Sequence, residues 1–132
     1  MFIPSKTVTF LGALLVVTTP SNPGNAQNLS GTEIKNLVSG QRIYLATPFG
    51  VELPLIYQTD GNVVGNISGI SVARIFTPRE TGKWWVQGNV LCQKWPTWYD
   101  GRQFCFALRK IGASKLSWLR DDGKVGTARI GE

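Results

Sequence analysis

The sequence predicts a mainly β domain: a single antiparallel β-barrel or sandwich of about eight short strands, with one short N-terminal helix and one disulfide. Three observations predict it. Short runs rich in β-branched and aromatic residues recur along the chain, each bounded by Gly, Pro, Asp or Asn. No crossover helix separates these runs, so strands adjacent in sequence pair antiparallel. Two cysteines, an even count, fall in the part of the chain that reads as exported, where an oxidising compartment lets them pair. At 132 residues there is room for one domain.

Residues 1–26 read as an address rather than as fold. Lys6 supplies a positive charge, and residues 8–17 (VTFLGALLVV) are an apolar run of ten. A helix needs about 20 such residues to cross a bilayer, whereas this run has the length of a secretory h-region. Gly24 and Ala26 stand where a signal peptidase requires small residues, placing cleavage after Ala26. No cysteine lies near that point, so a lipid anchor is not expected. The mature domain is then 27–132, periplasmic or secreted, and not membrane-spanning after cleavage.

A helix is predicted next. Ser30 caps its N-terminus and Glu33 completes a capping box, with Leu29 and Ile34 placed as the hydrophobic staple. Ile34, Leu37 and Val38 make one apolar stripe, and Gly40 is the stop. About two turns long, this helix must dock to persist.

Strands follow at 42–46, 53–58, 62–67, 70–76, 82–87, 89–95, 103–110, 115–120 and 125–130, with turn chemistry at Asp60-Gly61, Gly88-Asn89, Asp100-Gly101, Gly112 and Asp122-Gly123. The separation of Cys92 and Cys105 suits two neighbouring strands joined by a loop over 96–102. Such a bridge is worth about 3 kcal/mol in the chain-entropy model. Tryptophan packed against a buried disulfide is the expected filling of the core. Trp84 and Trp85 point to opposite faces of one strand, so one of them, with Trp118, is expected to be structural.

The chain contains no histidine. That excludes Ser-His-Asp and Cys-His catalysis, His-ligated metals and a physiological-pH switch. Two cysteines without histidine make no zinc site, so neither a metal nor a cofactor is expected. Asp60, Asp100, Asp121 and Asp122 fall in turns, where aspartate serves the backbone. Glu52 and Asp100 form no carboxylate pair that the spacing supports. The expectation is a protein that is not an enzyme.

Charge is unevenly placed. Residues 27–78 are neutral, while 79–132 carry the excess of Lys and Arg and all five tryptophans. Interleaved cations and aromatic rings suit polyanion or carbohydrate recognition. Residues 95–102 (WPTWYDGR) read as a loop with three aromatics at its tip, either an exposed patch or a structural cluster. The candidate ligand-binding residues are therefore Trp95, Trp98, Tyr99, Arg102 and Lys94. In the expected compartment the partner would be an envelope polysaccharide, an anionic lipid, a small apolar molecule in a barrel mouth or an envelope protein, and not nucleic acid. The alternative role is protein interaction, as an inhibitor or accessory subunit of an envelope enzyme.

Leu29-Ser30-Gly31-Thr32-Glu33-Ile34, Tyr57-x-x-Asp60-Gly61, and Gly82-x-Trp84 with Leu91-Cys92-x-x-Trp95 and Cys105 together resemble a family of small exported alphaproteobacterial (rhizobia-like) proteins with no assigned activity. The resemblance runs from Leu29 to about Ile130 and implies export, a disulfide and a β fold; it transfers no catalytic residue. Trp85 and the aromatic-rich 95–102 loop depart from that pattern, which makes the loop the place to expect specificity. A looser similarity, to calycin-type barrels, rests on the short helix, the Asp-Gly turns and one Gly-x-Trp, and fold alone assigns no function.

Overall fold

The computed structural model describes residue 12 and residues 27–48, 50–67 and 77–131. The export signal predicted over 1–26 and the strand predicted over 70–76 lie outside these residues. Helix α1 spans Gly31–Val38. It is followed by β1 (Gln41–Ala46), β2 (Glu52–Tyr57), β3 (Asn62–Asn66), β4 (Arg79–Gln87), β5 (Val90–Lys94), β6 (Gln103–Lys110), β7 (Lys115–Arg120) and β8 (Val125–Gly131).

Each strand pairs antiparallel with the next, and β1 also pairs with β8 through Ile43↔Ile130 and Leu45↔Ala128. That last pairing decides between the two predicted architectures: the sheet closes on itself as an eight-stranded barrel. A barrel of this size has an interior that side chains just fill, or that holds one small ligand.

The period-two alternation of the strands sorts side chains into two shells. Ile43, Leu55, Tyr57, Val63, Trp84, Leu91, Leu108, Leu116 and Ala128 point inward and are buried. Their sequence neighbours form the outer wall. Cys92, flanked by the inward Leu91 and Gln93, therefore faces outward, directly opposite Cys105 on β6 with Cα atoms 4.0 Å apart. The disulfide thus lies on the outer face of the sheet, where Cys92 is nonetheless fully buried and Trp85 stands directly opposite it on β4, so a tryptophan does pack beside a buried disulfide, but in the wall and not at the barrel's centre. Trp84 is the inward member of the tryptophan pair and Trp85 the outward one, as alternation requires.

Helix α1 closes one end. Its capping box is complete: the Glu33 amide donates to Ser30 Oγ and the Ser30 amide to Glu33 Oε1 at 3.0 Å. Two and a bit turns cannot hold a helix in water; docking does. Ile34 and Val38 are fully buried against β1, β4 and β5. Three bonds tie the helix to strand ends there, from the Leu29 amide to the Leu108 carbonyl, from the Gly40 amide to the Tyr57 carbonyl, and from the Gly31 amide to Asn89 Oδ1. The opposite end carries the β1–β2 and β7–β8 connections and the 95–102 segment.

β4 starts three residues before the predicted 82. Arg79 and Glu80 are indifferent to poor strand formers by composition, yet with Thr81 they pair in register with Asn66, Gly65 and Val64. Tertiary context overrides propensity here, and it brings a carboxylate, Glu80, inside the barrel rim.

Candidate functional site

The 95–102 segment folds into the barrel instead of standing away from it. Trp95 is 1% exposed and Trp98 4%, so neither presents a ring to solvent, and of the two arrangements open to this loop the structural cluster is the one that forms. The cause is Glu80. Its carboxylate accepts from the Thr97 amide at 3.0 Å, the Trp98 amide at 2.8 Å and the Thr97 hydroxyl, so three donors draw the loop inward. Trp98 Nε1 then donates to the Thr77 carbonyl at 2.7 Å. Its ring lies 4.5 Å from that of Trp95 and fills the space left by Gly65, where a Cβ would overlap it.

Beyond Trp98 the chain turns sharply in a 3-10 element, Trp98–Gly101. Tyr99 and Asp100 both adopt left-handed backbone, at φ 56° and 58°, and Gly101 follows at 67°. Only glycine takes this region freely, and such strain is held where surrounding contacts over-determine it. The consequence is positional: the Tyr99 ring is directed into the open end of the barrel, edge-on to Phe104 with ring centroids 5.6 Å apart.

Behind Tyr99 lies a cavity of about 60 Å³. Its walls are apolar: Ile43, Leu45, Leu55, Leu91, Phe106, Leu108, Leu116, Trp118 and Ala128. Four polar side chains interrupt them: Tyr57, Gln93, Tyr99 and Arg120. The Tyr57 hydroxyl donates to Gln93 Oε1 at 2.7 Å, and burial pushes that phenol well above its ordinary range, so it stays a neutral donor. Burial raises the Tyr99 hydroxyl too, partly countered by the Arg120 charge. Leu45, Phe106, Trp118 and Tyr99 point inward but remain partly exposed, so the cavity communicates with solvent at this end.

Arg120 is fixed in place. Its Nε and Nη2 fork onto Asp122 Oδ1 and Oδ2 at 2.8 and 2.7 Å, and its guanidinium sits 4.1 Å over the Phe104 ring. The fork holds the Asp122 carboxyl down at about 2, so the pair is ionised and mutually neutralised. The Arg120–Asp122 pair therefore brings polarity without a net charge and offers a hydrogen-bond donor beside an apolar cup.

The remaining sequence-predicted residues separate. Lys94 is exposed on the outer wall, and Arg102 is exposed with its guanidinium 5.3 Å from the centre of the Phe104 ring. Of the five candidates only Tyr99 lines the cavity. Sequence reasoning missed Glu80, Tyr57, Gln93 and Arg120. Gln93 carried a signal, since alternation places it on the same face as Leu91, while Glu80 preceded the predicted strand and carried none.

The outer wall of β6–β8 has a wider hollow of about 250 Å³ around Ala107, Arg109, Ser117, Leu119 and Val125. It is a shallow groove: Leu119 is half exposed, and the one cation, Arg109, is already held by Asn28 Oδ1 at 2.8 Å. Nothing in it orients a ligand as the barrel mouth does.

Among the described residues no cluster of His, Cys, Asp or Glu could hold a metal ion, and no helix is long and apolar enough to cross a membrane. No family model matches this chain, and neither a curated protein nor a solved structure is similar to it.

Proposed function

We propose that this chain is an exported binding module without catalysis of its own, and that its ligand is a compact, neutral ring carrying a hydrogen-bond acceptor, taken into the barrel mouth. The observation that carries this reading is the cup: apolar walls, a donor at the rim from Arg120, and the neutral Tyr57–Gln93 pair within, with the Tyr99 ring standing over it. Arg120 is balanced by Asp122, which disfavours a strongly anionic ligand at this mouth.

Size defines how the ligand enters. The cavity of about 60 Å³ is far below the ~300 Å³ at which drug-sized pockets begin, and below the ~150 Å³ that admits benzene. A ring-sized ligand therefore enters where the Tyr99 ring now stands, and the left-handed turn at Tyr99 supplies an incentive to relax outward. Its apparent affinity is reduced by the fraction of time that the mouth is open.

Calorimetric titration with p-cresol, which mimics the tyrosine ring, tests this. Saturable binding to the wild type is expected, tighter by about tenfold in Tyr99→Ala and lost in Ala128→Leu, which fills the cup. Absence of binding in both the wild type and Tyr99→Ala, or unchanged binding in Ala128→Leu, overturns the reading.

A further inference from the structure

On the outer wall, Lys83 of β4 stands directly opposite Lys94 of β5, and both are exposed. Like charges at directly opposed positions repel and destabilise a sheet. The barrel has a second such pair, Lys115 opposite Arg129. There the repulsion is answered, because the Arg129 guanidinium lies 4.1 Å over the Tyr44 ring and forks onto Glu52 at 2.9 and 3.1 Å. At the first pair only an uncharged group responds: Lys83 Nζ donates to Asn62 Oδ1 at 2.5 Å. Among the described residues the ion pairs are Arg120–Asp122 and Arg129–Glu52, so neither Lys83 nor Lys94 is neutralised. The neighbouring acids are turned elsewhere, Asp60 to Asn62 and Asp121 to the Cys105 amide.

Trp85 completes the feature. It lies on the same face two residues along β4, about 7 Å from Lys83. Trp84, Trp95 and Trp98 are buried and Trp118 lines the cup and the β6–β8 hollow, while Trp85, half-buried, lies on the outer face of β4 beside the two lysines. Gln87 and Gln103 flank it with amides: Trp85 Nε1 reaches Gln87 Oε1 at 3.4 Å, and Gln103 stands exposed opposite Lys94.

We propose that Lys83, Lys94 and Trp85 form a second binding site, separate from the barrel mouth, for an anionic polysaccharide. A sugar ring stacks on Trp85 while one acidic group of the chain bridges the two ammonium groups, removing their repulsion on binding. A lipid surface fits less well. The large exposed aliphatics, Val51, Ile111, Leu119 and Val125, all lie on other strands and turns, so Trp85 alone, half-buried, would have to anchor this face in a bilayer.

The test is titration of the protein with oligogalacturonate, alongside p-cresol as a report on fold and cup. The wild type is expected to bind saturably and more weakly as salt rises. Lys83→Gln with Lys94→Gln, and separately Trp85→Ala, are each expected to weaken binding about tenfold, while Trp85→Phe retains it. The charge-matched pair Lys110→Gln with Lys115→Gln should leave it unchanged, and the p-cresol response should be the same in every variant. No binding by the wild type, an equal loss in both lysine pairs, an unaffected Trp85→Ala, or tighter binding to phosphatidylglycerol vesicles than to oligogalacturonate overturns the proposal. None of these outcomes touches the cup.

Discussion

Replacing Glu80 with alanine should release the 95–102 segment from the barrel, and the structure supplies the size of the effect. The carboxylate accepts three hydrogen bonds, from the Thr97 amide, the Thr97 hydroxyl and the Trp98 amide. Thr97 is exposed, so its two donors turn to water at little cost. Trp98 is 4% exposed, so its amide either stays orphaned or leaves the interior with the ring. An orphaned buried donor costs about 1–3 kcal/mol and a lost bond to a charged acceptor about 1.5–3. The overlap of these terms, with some loosening of Trp98 packing, gives about 2–4 kcal/mol for Glu80→Ala. Glu80→Gln keeps an acceptor but sets an amide N–H against the backbone donors, and should lose about half as much. Urea unfolding followed by tryptophan fluorescence reads both, as a lower midpoint with an unchanged slope. Hydrogen exchange at the Trp98 amide should accelerate in step. A loss under about 0.5 kcal/mol in Glu80→Ala, the range of an ordinary surface change, would refute the reasoning, as would protection of that amide equal to wild type.

Further expectations concern the rim, the staple and the close contacts. The Arg120 fork lowers the Asp122 carboxyl to about 2, so it adds stability above the ordinary aspartate range that fades as pH falls toward that value. Asp122→Asn should therefore lower the urea midpoint at neutral pH and flatten its decline through the acid range; a wild-type acid limb in the variant would count against the fork. Reducing Cys92–Cys105, or changing both to serine, should cost about 3 kcal/mol and shift the melting temperature by about 10 °C or more, as calorimetry would show. At Gly126 a Cβ would overlap the Trp118 ring, so Gly126→Ala should destabilise by about 1–3 kcal/mol and alter the Trp118 environment in near-ultraviolet circular dichroism. No change in either would mean the ring does not sit against that strand.

Much of the fold was legible because it rests on local signals. The capping residues Ser30 and Glu33 and the strands over 103–110 and 115–120 agree with their predicted positions, since turn chemistry and alternation act within a few residues. Closure of the barrel was not legible, because the pairing of β1 with β8 joins the two ends of the domain. The candidate site was read in part. Tyr99 and Lys94 were named, but the loop looked exposed because nothing near it in sequence could hold it. What holds it is Glu80, a strand-disfavouring residue on another strand, ahead of the stretch predicted to be β. Arg120 was passed over for a similar reason: a strand-end arginine reads as solvated until Phe104 and Asp122 are seen around it.

The cup is the central claim, and methyl and backbone NMR during a p-cresol titration tests it most directly. Saturable shifts are expected at the Ala128 and Leu116 methyls and the Trp118 indole, accompanied by shifts in the Tyr99 and Asp100 amides as the turn relaxes. Shifts confined to outer-wall residues such as Leu119 and Val125, with Ala128 and Tyr99 unmoved, would contradict it.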